Sequence, residues 1–182
     1  MDPVVLLDLR QIRGAHARFQ RTYDPTAFGP AGDDYRLVAP VTLVFDISKS
    51  NREFRLVGRL QATLELACGR CVEPFTIAVD EPFDVMYLPH TANTGEGEVQ
   101  IEEDDMETAF YHDEVIDLGQ MMREQFYLAL PMKPLCSEAC RGLCPECGTN
   151  LNQGTCHCVR TRVDPRLEGL RALVRGGEET SK

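Results

Sequence analysis

The sequence has little that would suit a membrane-spanning or secreted protein. No stretch approaches the roughly 20 consecutive apolar residues that a transmembrane helix needs. The early apolar run from Val4 to Leu7 is closed by Asp8 and follows no basic residue, so we expect no secretory signal peptide. We therefore predict a cytoplasmic protein that binds no membrane. In that compartment, clustered cysteines are more often metal ligands or redox thiols than disulfides.

Basic residues are also scarce, and they are unevenly placed. The chain has 19 Lys and Arg against 29 Asp and Glu, which gives a net charge of -10. Fourteen acidic residues and no basic one lie between Val72 and Met122, whereas Pro131 to Gly176 holds seven basic against four acidic residues. The average excludes a protein that coats nucleic acid over its whole surface. The distribution predicts a bipolar chain with a basic C-terminal end.

Alternation of apolar and polar residues predicts a β-meander. Three runs have a period of two, over residues 41–47, 54–68 and 75–87. Ser48 to Arg52 predicts a turn between the first two runs, and Gly58 within the second run predicts a bulge or a bend. The pattern indicates antiparallel strands whose tightest hairpin has Cys68 and Cys71 at its tip.

Capping signals predict three helices, over residues 9–14, 118–130 and 165–175. Asp117 and Gln120 form the capping box of the second helix, which Pro131 ends. Asp164 caps the third helix, and Gly176 ends it.

The predicted fold class is α+β, with an antiparallel β-meander, a few helices and a small C-terminal zinc-knuckle-like module. A chain of this size can bury about 70% of its unfolded surface, so the fold does not need its cysteines for stability. The acidic stretch 90–105 is expected to be a loop with at most a short strand. Three segments follow: a mixed α/β domain, a Cys-rich zinc-binding module with the C-terminal helix, and a disordered tail, over residues 1–130, 131–176 and 177–182.

All eight cysteines fall into four close pairs, namely Cys68 and Cys71, Cys136 and Cys140, Cys144 and Cys147, and Cys156 and Cys158. Such pairs suit tetrahedral Zn²⁺, because two thiolates can converge on one ion at about 2.3 Å each. The short spacers also keep the entropy of closing each chelate ring small. The count predicts two four-thiolate zinc sites. Such sites leave no open coordination position, which indicates a structural role.

The last two pairs are predicted to share one ion. Cys144-Pro-Glu-Cys147-Gly148 is a typical zinc-knuckle spelling, in which the glycine lets the chain fold back so that backbone N–H groups point at the sulfurs. A turn-rich linker then returns the chain to Cys156 and Cys158.

The first two pairs would then share a second ion. Cys68 and Cys71 would meet Cys136 and Cys140, so that the metal would clamp the C-terminal module onto the sheet. His157 could replace one ligand of the other site. An alternative grouping remains open, a compact site made of Cys136, Cys140, Cys144 and Cys147.

Two enzyme classes share parts of these motifs. The Cys-x-x-Cys spelling occurs in thiol–disulfide oxidoreductases, and a cytosolic oxidoreductase using Cys144 and Cys147 is the alternative function. A redox pair should open a helix after a buried strand, which neither pair here is predicted to do. His112-Asp-Glu114 matches half of a zinc-deaminase signature, but no Pro precedes a Cys-x-x-Cys. We therefore expect no enzyme, no catalytic residue and no small-molecule substrate.

Taken together, these motifs resemble the bacterial and plastid YceD family, formerly a domain of unknown function. The resemblance covers the chain from about Val41 to Val174 and rests on residues 68–71, 130–136, 140–148, 150–152, 156–158 and 164–167. It implies a role in making or stabilising the large ribosomal subunit, because YceD proteins are associated with accumulation of its 23S rRNA. The implied partner is a large-subunit precursor, reached through the rRNA or through a ribosomal protein.

The basic C-terminal end offers candidate contacts to RNA phosphates. The candidates are Lys133, Arg141, Arg160, Arg162 and Arg166. Charge alone equally allows these arginines to solvate a helix face. No aromatic side chains interleave with them, so we expect no base-specific recognition of single strands.

Overall fold

The computed structural model describes residues 5–29, 34–90 and 108–158. Its strands are β1 (Leu6–Asp8), β2 (His16–Tyr23), β3 (Arg36–Leu37), β4 (Val41–Ser50), β5 (Glu53–Ala67), β6 (Pro74–Pro89), β7 (Thr108–Tyr111) and β8 (Val115–Asp117). The described residues contain one α-helix, α1 (Leu118–Ala129), and two 3-10 helices, Leu9–Gln11 and Pro25–Phe28. The described part of the fold is therefore mostly sheet with one α-helix.

The strands form two sheets. The larger has six strands in the order β2-β4-β5-β6-β7, with β3 paired to β5, and the smaller pairs β1 with β8. All pairs are antiparallel except β6 with β7, which run parallel. The predicted meander is confirmed in β4, β5 and β6, whereas the sequence did not reveal the parallel β6–β7 pair.

The core lies on one face of the six-stranded sheet. Leu56, Leu60 and Leu64 of β5 are completely buried, which confirms the predicted even-numbered apolar face. Helix α1 packs in the same core through Met122 and Phe126. Burial of this apolar area is the main favourable term in folding.

The outer face of the sheet is polar, and its arginines are paired. The Arg36 and Glu65 side chains lie 2.6 Å apart, Arg55 and Asp84 2.5 Å, and Arg59 and Asp80 2.9 Å. These pairs are solvent-exposed, so each contributes at most about 1 kcal/mol. Because each cation has a carboxylate beside it, this face is not a basic surface.

The predicted caps have different outcomes. Asp117 accepts a hydrogen bond from the Gln120 N–H at 2.8 Å, so the capped start of α1 is confirmed. The helix predicted over residues 9–14 is a single 3-10 turn, because the chain is already extended at Ile12 as it approaches β2. The third predicted helix and most of the predicted loop 90–105 lie outside the described residues.

Gly58 does not form the predicted bulge. It pairs opposite Phe45 and Phe83 in an unbroken register. A Cβ atom at Gly58 would lie 2.6 Å from the Cβ of Phe45, closer than any real contact. Phe45 is buried and stacks on Phe19 with ring centroids 5.2 Å apart. The glycine therefore allows a close approach between β5 and β4.

The chain divides into two compact units, with the boundary between Cys140 and Arg141. The first unit contains both sheets and α1, and the second contains the last four cysteines. The three-segment division predicted from the sequence stays a prediction.

Candidate metal centres

The first cysteine cluster, site 1, consists of Cys68, Cys71, Cys136 and Cys140. Two of its thiols come from the tight turn between β5 and β6. The Cys68 N–H donates to the Glu73 carbonyl, and the Val72 N–H donates to the Cys68 carbonyl, both at 2.9 Å. These bonds close the turn and bring the thiols of Cys68 and Cys71 together.

The other two thiols of site 1 come from the segment that follows α1. The Gly69 N–H in the hairpin turn donates to the Pro134 carbonyl at 2.7 Å, which places this segment beside the turn. The Cys140 N–H donates to the Ser137 carbonyl at 3.0 Å. That local turn brings Cys140 back towards Cys136, so four thiols from two distant parts of the chain converge.

The sulfur positions in site 1 suit a tetrahedral ion. All four sulfurs lie within 4.8 Å of one another, with Cys68 and Cys140 at 3.8 Å and Cys71 and Cys136 at 3.7 Å. A regular tetrahedron with 2.3 Å metal–sulfur bonds has sulfurs about 3.8 Å apart, whereas a disulfide needs about 2.05 Å. The donor set and its spacing therefore fit Zn²⁺, and the cluster could hold a metal ion.

The pKa values of the site 1 thiols differ. The backbone N–H groups of Cys136 and Cys71 lower the pKa of Cys68 to about 6, because they stabilise the thiolate. The hydrogen bond to the neighbouring Cys140 sulfur, followed by burial, raises the pKa of Cys136 to about 12. Four thiolates this close repel one another, so complete ionisation of the cluster needs a cation.

The second cluster, site 2, consists of Cys144, Cys147, Cys156 and Cys158, whose sulfurs also lie within 4.8 Å of one another. A short hairpin positions the first pair. The Cys144 N–H donates to the Thr149 carbonyl at 2.8 Å, and the Gly148 N–H donates to the Cys144 carbonyl at 2.9 Å. Site 2 could hold a second metal ion.

Site 2 is more open to solvent than site 1. Cys147 and Cys158 are exposed, whereas three of the four thiols in site 1 are buried. The Thr149 hydroxyl lies 3.1 Å from the Cys147 sulfur and is the main group lowering the pKa of Cys147 to about 6. The hydrogen bond between the Cys158 and Cys147 sulfurs is the main cause that raises the pKa of Cys158 to about 12.

The structure thus brings together the two groups of four that the spacing favoured. The alternative group made of Cys136, Cys140, Cys144 and Cys147 is not observed, because the sulfurs of the first two lie in site 1. The remaining histidine candidates do not join either group. His157 is exposed and its ring is not part of site 2, and His112 lies in the short β7–β8 connection.

The candidate RNA contacts are only partly described. Lys133 and Arg141 are exposed and belong to different units. The other three candidates, Arg160, Arg162 and Arg166, lie outside the described residues. Contact with RNA by any of the five stays a prediction.

Two residues near the thiols were missed in the sequence. Thr149 lies two residues after Cys147, and Arg70 lies inside the first Cys-x-x-Cys. Neither residue type indicates a role at the thiols by itself, because a threonine or an arginine beside a cysteine is common in turns. Their roles depend on atoms that only the folded chain brings within reach.

The two Cys-x-x-Cys turns share one backbone shape but differ in one residue. The residue after the second cysteine has φ +73° in Gly148 and +62° in Val72. Both N–H groups donate to the carbonyl of the first cysteine at 2.9 Å. A left-handed φ costs an L-residue about 1–2 kcal/mol, and a β-branched side chain adopts it least easily. Val72 is therefore strained where Gly148 is relaxed.

Exchanging these two residue types should have opposite effects. We expect Val72→Gly to raise the free energy of unfolding by about 1 kcal/mol, since relief of strain exceeds the entropy that glycine loses on folding. Gly148→Val should weaken metal binding at site 2 by about tenfold, because 1.4 kcal/mol corresponds to a factor of ten. Urea unfolding of the metal-loaded protein and competition with a chelator measure the two effects. A destabilised Val72→Gly variant would contradict the strain.

No helix in the described part of the chain is long and apolar enough to cross a bilayer.

The fold and the clusters define a class of protein: a mixed-sheet protein with two four-cysteine groups that could hold metal ions. A family model described as "Large ribosomal RNA subunit accumulation protein YceD" matches residues 56–174. The chain belongs to the YceD family, as its motifs indicated.

Several curated proteins are similar to the chain. One is the chloroplastic large ribosomal RNA subunit accumulation protein YCED homolog 1 of Arabidopsis thaliana, 30% identical over 153 residues, which cover 72% of this chain and 47% of that protein. Another is the uncharacterized protein YlbN of Bacillus subtilis, 24% identical over 180 residues, or 96% of this chain and 98% of YlbN. An uncharacterized protein of Mycobacterium tuberculosis is 32% identical over 115 residues, or 63% of this chain and 53% of the relative.

The chain thus spans about half the length of the plant and mycobacterial relatives and nearly all of YlbN. No solved structure matches the chain significantly.

Proposed function

We propose that this protein is a non-enzymatic zinc-binding factor for the biogenesis or accumulation of the large ribosomal subunit and its 23S rRNA. The description of its family supports the ribosomal part of the proposal. The zinc part depends on one observation, the sulfur spacing of 3.7 and 3.8 Å in site 1, which matches a four-thiolate zinc site. We further propose that the protein acts in the bacterial cytoplasm.

A structural role for both ions follows from the donor sets. Each group offers four thiols, and a zinc ion with four thiolate ligands keeps no position for water or substrate. Zinc bound there would supply a cross-link between chain segments. In site 1 it would join segments that are far apart in the chain, since Cys71 and Cys136 lie 65 positions apart in the sequence. Closing so long a loop is where a metal clip contributes most.

The alternative, an oxidoreductase that uses Cys144 and Cys147, has less support. The pair lies in a hairpin turn, and its sulfurs are shared with Cys156 and Cys158 in one group. The described residues place no helix after Cys147, whereas a redox pair typically opens one to stabilise its thiolate. Site 2 is therefore better suited to holding an ion than to disulfide exchange.

The proposed partner is a precursor of the large subunit, reached through its rRNA or through a ribosomal protein. The basic charge that would meet phosphates is proposed at Lys133, Arg141, Arg160, Arg162 and Arg166. The paired arginines of the sheet face are less suited to this, because each already has a carboxylate neighbour.

Depletion of the protein tests the ribosomal role. We expect the ratio of large-subunit to small-subunit rRNA to fall, by about twofold or more if the factor is limiting, and wild-type protein should restore it. The measurement is the rRNA ratio together with a sucrose-gradient profile of the subunits. A normal ratio and a normal profile after depletion would contradict the role.

The same gradients separate direct RNA contact from contact through a protein. Arg160→Glu with Arg162→Glu reverses the charge at two of the proposed phosphate contacts, and the control Arg18→Glu reverses one charge on the sheet face. Loss of co-sedimentation only in the first variant supports phosphate contact, and its salt dependence should become shallower. Co-sedimentation that survives in the first variant assigns binding to a protein partner instead.

A further inference from the structure

Arg70 connects the two halves of site 1. It lies between Cys68 and Cys71 in the β5–β6 turn, and its Nη1 donates to the Glu138 carbonyl at 3.1 Å and to the Cys140 carbonyl at 2.9 Å. Both carbonyls belong to the segment that supplies the other thiol pair. One side chain from the hairpin therefore holds the backbone next to a ligand 70 residues away.

Two further hydrogen bonds tie the other end of that segment. The Gly69 N–H donates to the Pro134 carbonyl at 2.7 Å, and the Cys136 N–H lies 3.4 Å from the Cys68 sulfur. The segment is thus fastened by Gly69 near its start and by Arg70 near its end. Among these hydrogen bonds, those of Arg70 come from a side chain that is not one of the four thiols, so they can be removed without altering the backbone or the cysteines.

Charge gives Arg70 a second means of action. A divalent ion held by four thiolates carries a net negative charge, which a neighbouring guanidinium offsets. Arginine suits both tasks, since it stays protonated and one terminal nitrogen presents two N–H donors in a fixed geometry.

We propose that Arg70 is a positioning residue for the metal of site 1: it holds the chain around Cys140 so that the two thiol pairs meet before an ion binds. The inference rests on the proposed metal site. Groups that orient metal ligands typically change metal affinity by about 10- to 100-fold when they are removed.

The test compares metal affinity at both sites in the full chain. Arg70→Met keeps the aliphatic stem but removes the charge and the donors, and it should weaken Zn²⁺ binding at site 1 by about 10- to 100-fold while site 2 keeps its affinity. Arg70→Lys restores a cation with donors and should recover most of the loss. The matched control is Arg52→Met, which makes the same change directly before the first residue of β5, at the end of the strand away from site 1. This variant should bind Zn²⁺ as the wild type does.

Competition with a chromogenic chelator measures the affinities. The visible absorption of Co²⁺ reports a four-thiolate geometry, and a background lacking Cys144 and Cys147 isolates site 1. Wild-type affinity in Arg70→Met would overturn the positioning role. Should that variant fail to fold, Arg70→Gln, whose amide is too short to reach both carbonyls, takes its place with the same two outcomes. A wild-type chain that binds no ion at site 1 would contradict the zinc site itself.

Discussion

Replacing Cys68 and Cys71 with serine should lower the metal content from two ions per chain to one. Serine hydroxyls are poor zinc ligands, and the two remaining thiols of site 1 cannot complete a tetrahedral site. The lost ion removes a stabilising ligand of the folded state. Where free zinc exceeds the dissociation constant a thousandfold, that loss is about 4 kcal/mol.

Metal analysis by native mass spectrometry and thermal unfolding in buffered zinc measure the two consequences. The matched control, Cys144→Ser with Cys147→Ser, should also leave one ion, now held by site 1. Two ions retained without Cys68 and Cys71, or both ions lost with them, would contradict the grouping. Folded, fully active wild-type protein prepared anaerobically without any metal would remove the basis of the proposed scaffold.

Gly58→Ala should destabilise the protein by about 3 kcal/mol, at the upper end of the cost of overfilling a packed interior. The new methyl group would lie 2.6 Å from the Phe45 Cβ and 2.8 Å from its Cα, so one of the strands must move. Rotating the Phe45 side chain cannot relieve these contacts, because its Cα belongs to the backbone and its Cβ is bonded directly to it; the Phe45 ring is also buried and stacked on Phe19.

Urea unfolding measures this loss, and Gly154→Ala is the matched control. A Cβ atom at Gly154 meets nothing within 4 Å, so that substitution should change the free energy of unfolding by less than about 0.5 kcal/mol. Equal stability of the two variants would show that the sheet tolerates a side chain at Gly58 and would refute the close-approach account.

The parts of the fold that the sequence predicted well are those set by local pattern. The strands β4, β5 and β6 pair with their chain neighbours, so the period of two determines both their existence and their buried face. The start of α1 was predictable because Asp117 caps the helix through a local hydrogen bond, which it accepts from a backbone N–H three residues later. The four cysteine pairs were predictable from their short spacers, whereas the spacers left two groupings of the pairs open.

Other parts depend on contacts between distant residues. Strand β2 is an edge strand whose Ala17, Phe19 and Tyr23 are only half-buried, and Arg21 interrupts the apolar alternation. The β6–β7 pair is parallel, and nothing local in Thr108–Tyr111 specifies a parallel partner. A glycine such as Gly58 can mark either a bulge or a close contact between strands, and only the Val44 carbonyl and the Cα and Cβ of Phe45 opposite show which of the two it is.

Because the chain is synthesised from its N-terminus, the two thiol pairs of site 1 are made in a fixed order. The β5–β6 hairpin leaves the ribosome with two thiols already placed at its tip, and a two-thiol half-site holds zinc only weakly. Completion waits until Cys136 and Cys140 have been translated, 65 or more residues later. If site 1 holds the proposed zinc ion, its tight capture would thus be a late event in the maturation of the first unit, and a polypeptide truncated before Cys136 would lack it.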